Sequence, residues 1–111
     1  QFEKLPYRID IDTEGMDTLA YGETLHVSCT VYKGWEDKTA NVAAWEIERD
    51  SGDPAADAAW ALLPKVQNFA GNIDIVHTQQ YSDLAAIGVS TLFAIRALVN
   101  DGTQTEYNLT I

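Results

Sequence analysis

The residues able to do chemistry in this chain are few, and they are scattered. Cys29 is the one cysteine. It lies inside a run of strict alternation, where Leu25, Val27, Cys29 and Val31 share one face. That places the thiol in a core, protonated and without a helix N-terminus or cation to activate it, so it acts as a small hydrophobe. A single cysteine also forms no internal disulfide. His26 and His77 stand 51 positions apart and outside any H-x-x-x-H or H-E-x-x-H spacing, so neither reads as a metal ligand. Asp50, Asp53 and Asp57 crowd one segment with oxygen ligands that would suit calcium, yet their spacing is not that of a calcium loop. Asp53 before Pro54 is better explained as a helix cap. No glycine pattern cradles a phosphate. The residues therefore predict no catalytic group, no metal and no cofactor.

Aromatic residues are the remaining handle. Trp35 follows Lys33-Gly34 in a polar stretch, and Tyr32, Tyr21 and Tyr81 sit at strand ends or corners. An aromatic ring exposed on a loop can stack a sugar or anchor a protein. Trp35, with Tyr32, is the first choice for a binding surface. It is weighed against a ring folded back over the end of the domain, since most tryptophan surface is buried.

Composition narrows the partners. Seventeen acidic against seven basic residues give a net charge of −10, which repels nucleic-acid phosphates and anionic lipid. No apolar run approaches the roughly 20 residues of a membrane helix. At 111 residues the chain is long enough for one core without staples, and residues 1–111 read as a single domain. The absent initiator Met, and an end inside an apparent strand, predict a piece excised from a longer protein.

The elements that must position these residues are strands. Leu5, Tyr7, Ile9 and Ile11 alternate on a first strand, with Pro6 marking an edge. Thr24 to Tyr32 forms the second, and Lys33-Gly34 ends it before a loop through Asn41. On a third strand Ala43, Trp45 and Ile47 face inward. One short helix spans Ala55 to Leu63, closed by Pro64, with Trp60 and Leu63 on its apolar face. A fourth strand carries Ile73 and Ile75 and runs to Thr78, and Ser82-Asp83-Leu84 makes a corner. Phe93, Ile95, Ala97 and Val99 point inward on a long strand. Asn100-Asp101-Gly102-Thr103 turns it into a partner strand bearing Tyr107, Leu109 and Ile111. Six or seven one-faced strands predict an all-β antiparallel sandwich with one short helix in a loop.

The spacing of Cys29 and Trp45 resembles the immunoglobulin pattern, in which an inward cysteine on the second strand precedes an inward tryptophan on the third. Phe93 stands where that pattern has a corner tyrosine, and Ile95 where it has the second cysteine. The resemblance thus implies an immunoglobulin-like sandwich held by apolar packing rather than a disulfide. The run from Trp45 to Gly52, with Asp57 and Trp60 after it, is similar to immunoglobulin-like modules of tail proteins from gut-bacterial phages and of related bacterial surface proteins. That resemblance implies a non-catalytic structural or adhesion module on a virion or cell surface. Its partners would be proteins of a multi-domain assembly or a surface glycan.

Overall fold

Alternation along the chain becomes two facing sheets in the computed structural model, which describes residues 6–84 and 90–111. The expected position of Leu5 lies outside the described residues. Strand β1 (Tyr7–Asp12) buries Ile9, while β2 (Thr24–Lys33) buries Leu25, Val27, Cys29 and Val31. β2 is the spine of the first sheet. β1 pairs with it from Asp12↔Ser28 to Tyr7↔Lys33. Its other side is shared by β5 (Asn72–Val76), opposite Thr24–Ser28, and by a two-residue strand β3 (Glu36–Asp37) opposite Tyr32 and Lys33. All these pairings are antiparallel.

The second sheet has the order β4-β6-β7, from Val42–Asp50, Leu92–Val99 and Gln104–Thr110. Phe93, Ile95, Ala97 and Val99 all point into the core and are buried, which puts β6 at the centre of its sheet. The inner faces close on each other as an all-β sandwich of seven strands among the described residues. Cys29, a free thiol, and Ile95 both belong to the apolar core cluster.

The helical segment plugs one end of the sandwich. Asp53 caps helix α1 (Pro54–Ala61) by accepting the Ala56 N–H at 3.2 Å, and proline opens its first turn. Trp60 turns inward against Phe93, with ring centroids 5.5 Å apart. Pro64 does not simply close this helix. It opens a second, one-turn helix α2 (Pro64–Gln67), because a proline ring fixes the φ that a first helical position needs. Val66 of α2 and Phe69 just beyond it enter the core.

Four further expectations are corrected. Ala43 is exposed, because a bulge between Val42 and Ala44 inserts one residue and flips it outward. Trp45 faces inward but is only half-buried, packed edge-on against Phe69 at the flank of the core. The fourth strand ends at Val76 rather than Thr78, and only a single bridge, His77↔Ser82, continues it. The loop through Asn41 contains β3 and a 3-10 turn at Thr39–Asn41.

Candidate functional site

The two ends of the sandwich differ in character. At one, β2 and β3 form a hairpin whose tip is Gly34-Trp35, with Gly34 at φ 60, a left-handed conformation that glycine adopts without strain. This tip lifts Trp35 clear of the domain, and the residue is 96% exposed. The ring does not fold back over the sandwich. Tyr32 has a different environment. It is half-buried, and the Arg8 guanidinium lies over its ring at 4.9 Å while donating to the Gly34 carbonyl at 2.6 Å. The structure therefore sets the two aromatics on one hairpin but leaves only Trp35 with a free face.

Cations and carboxylates are interleaved around this tip. Lys33 lies over the Tyr7 ring at 5.2 Å, and the Tyr7 hydroxyl donates to Asp101 at 2.9 Å across the gap between the sheets. Lys38 pairs with Glu36, and Arg8 with Asp10. Among the described lysines and arginines Lys33 alone has no carboxylate within 4.0 Å.

A polar network occupies the opposite end, and the sequence did not disclose it. Its hub is Asp83, a carboxylate with 0% exposure. Asp83 Oδ1 accepts from Trp60 Nε1 at 2.8 Å and from the Tyr81 hydroxyl at 2.6 Å, and Oδ2 accepts from Lys65 Nζ at 2.6 Å and from the Val76 N–H at 2.7 Å. Burial by itself would raise this carboxyl's pKa. The Lys65 ammonium, together with the hydroxyl, backbone and indole donors, outweighs that and holds it below the usual carboxylate range. The same surroundings, burial first and then the bond to Asp83, push the Tyr81 hydroxyl up.

Arg49 extends the network. Its guanidinium donates to Asp57 at 2.8 Å and to the Asp83 carbonyl at 3.0 Å, and it lies 5.8 Å from the centroid of the Trp60 ring. Asp57 also accepts from the Ser51 hydroxyl and N–H. Asp53 caps a helix and Asp57 turns inward to Arg49, so the three carboxylates of this segment do not converge on one point. Among the described residues no group of three metal-ligating side chains is gathered anywhere. The network ties α1, α2, β4 and β5 to the corner at Ser82–Leu84. The visible clue in the sequence was an aspartate within a corner otherwise flanked by apolar strands, which does not by itself reveal burial.

Between the network and α1 runs a shallow cleft of about 270 Å³, lined by Arg49, Ala56, Ala59, Trp60, Leu63, Tyr81 and Ser82. Its polar atoms already have partners within the domain, so it offers mainly apolar surface. His77 Nδ1 meets Ser82 Oγ at 2.8 Å beside this cleft, the one imidazole–hydroxyl contact among the described residues. Ser82 Oγ also accepts the Leu84 N–H at 3.1 Å, which ties the hydroxyl into its own turn. Tyr21 packs edge-on against the imidazole at 5.5 Å, and no described carboxylate orients the ring. His26 lies on the exposed face of β2, bonded to Asp74 at 2.7 Å, which raises its pKa. Cys29 is buried, and desolvation pushes its thiol up to about 12.

Compared with known proteins, the chain matches no family model, no curated protein and no solved structure.

Proposed function

We propose that this domain is a non-catalytic structural or interaction module of a larger phage tail or bacterial surface protein. The strand arrangement supports the reading. β1, β2 and β5 pair in one sheet and β4, β6 and β7 in the other, an arrangement that supports reading the sandwich as immunoglobulin-like, a scaffold that presents loops at its two ends. The observation that carries an interaction role is Trp35, held at a hairpin tip and 96% exposed. An aromatic that size contributes nothing to the core from there, and exposed aromatics dominate binding hot spots. The thiol and both imidazoles are accounted for by packing or local hydrogen bonds, which favours a module without chemistry of its own.

The decisive test is the sequence on either side of this domain in its gene. Tail-fibre, baseplate or surface-anchored neighbours are expected, and a catalytic domain that this one completes would sink the reading. A glycan array with the wild type and Trp35→Ala tests the second reading, a carbohydrate-binding module that stacks a sugar on Trp35. Binding lost on substitution favours it, and no binding to any glycan excludes it.

A further inference from the structure

The buried charge of this domain is gathered in one place. Among the described residues Arg49 and Asp83 are the only buried charged side chains, and both hold the helical segment to the sandwich. Asp83 Oδ1 accepts from Trp60 of α1, and Oδ2 accepts from Lys65 of α2 and from the Val76 N–H of β5. Arg49 of β4 pairs with Asp57 of α1 and donates to the Asp83 carbonyl. One further polar tie joins the helices to a strand among the described residues, from Lys65 Nζ to the Asp74 carbonyl at 3.0 Å. The strands are held differently. Their pairing is backbone to backbone, their interior is apolar, and their carboxylates are exposed. Protonation therefore acts on the two parts unequally. An exposed carboxylate takes a proton at little cost to the fold, whereas a buried one loses the charge that balances its cation. A protonated Asp83 also turns an acceptor oxygen into a donor, so its converging donors no longer all find a partner.

We propose that α1 and α2 form an acid-released cap: protonation of Asp83, seconded by Asp57, frees the helical segment and uncovers Phe93 beneath Trp60 while the two sheets stay paired. The groups around the trigger are few. Asp83 is faced by Lys65 from α2, by Tyr81 from its own corner and by Arg49 from β4, and Asp57 is faced by Arg49. His77 beside the corner bonds Ser82, and the Asp74 carboxylate turns outward to His26. Residues 85–89 carry no titratable side chain. Burial alone would raise both carboxyls. Their bonded donors, Lys65 foremost for Asp83 and Ser51 for Asp57, hold them below the usual carboxylate range. The cap thus stays closed in mild acid and opens as pH falls through the folded values, below about pH 4.

Hydrogen exchange followed by NMR from pH 7 to pH 2, with each rate normalised to an unstructured chain at the same pH, tests this. In the wild type, protection of the Trp60 indole N–H and of the amides of α1 and α2 should fall about tenfold or more in acid. The amides of Cys29 and Ile95, on the central strands of the two sheets, should keep theirs. Lys65→Met retains the apolar stem and removes the ammonium, so its cap should open about one pH unit closer to neutrality. Protection of Cys29 and Ile95 at pH 7 establishes that the variant folds. Loss of protection at the cap and at the central strands together, in one step, would overturn the inference, because the domain would then unfold as a whole. A cap still protected at pH 2 overturns it as well, and so does a Lys65→Met protein that opens at the wild-type pH.

Discussion

Trp60 donates its indole N–H to the buried carboxylate of Asp83 at 2.8 Å, joining a helix and a corner 23 residues apart. The bond has a structural consequence, because three further donors converge on the same carboxylate. Replacing Asp83 by Ala leaves the Trp60, Tyr81 and Val76 donors unpaired inside the protein. The expected loss is about 3–5 kcal/mol, in the range for breaking a buried charged network. Trp60→Phe keeps the ring and removes one donor, so it should cost only about 1–2 kcal/mol. Urea denaturation of both variants checks the order, and an Asp83→Ala protein as stable as the wild type would refute the hub.

The same carboxylate sets an acid response. Its folded pKa lies below the unfolded value of 3.8. Its stabilising contribution is therefore fully present above that value and is lost as pH falls through the folded pKa. Asp57 is depressed in the same sense: burial opposes the shift, and the Ser51 and Arg49 bonds prevail. Denaturation midpoints measured from pH 7 to pH 2 should fall below about pH 4 in the wild type. The drop should be shallower in Asp83→Asn, and equal slopes for the two proteins would count against the assignment.

Aromatic truncations should separate the centre of the core from its flank. Phe93 has 0% exposure, and Phe93→Ala is expected to cost roughly 3–5 kcal/mol. Trp45 is half-buried, so Trp45→Ala should cost clearly less. Gly71 stands against the Trp45 ring at φ +95, with an added Cβ meeting ring carbons at 3.3 Å. Gly71→Ala should therefore destabilise by about 1–3 kcal/mol through backbone strain and crowding. Thermal melts of the three variants decide the ranking.

Thiol labelling offers a local probe of unfolding. With the Cys29 thiol pushed up to about 12 by burial, it is protonated and shielded at neutral pH. Labelling by an alkylating reagent in native buffer should be slower by orders of magnitude than in denaturant. Equal rates would place the thiol at the surface.

What could be read from the sequence followed from local periodicity. Strands with one wet face announce themselves by alternation, so β2, β5 and β6, the inward set Phe93 to Val99 and the Asp53 cap were legible from residue order. A bulge is invisible to the same logic. One extra residue at Val42–Ala44 inverted Ala43, while Trp45 and Ile47 kept their inward side. The second helix was hidden because proline marks both the end of one helix and the start of the next.

The sequence by itself determined an all-β class, an acidic surface, an apolar centre around Cys29 and Ile95, and Trp35 as a candidate contact. Tertiary structure alone decided that Trp35 stands free while Arg8 covers Tyr32, and that Asp83 is buried among four donors. It alone placed an apolar cleft opposite the indole. The reason is physical. Alternation specifies which face of a strand is dry, whereas the partners of a charge or a ring are assigned by residues far away in the chain, such as Trp60, Lys65 and Tyr81 around Asp83. Only their convergence in space makes a buried carboxylate tolerable or leaves an aromatic ring uncovered.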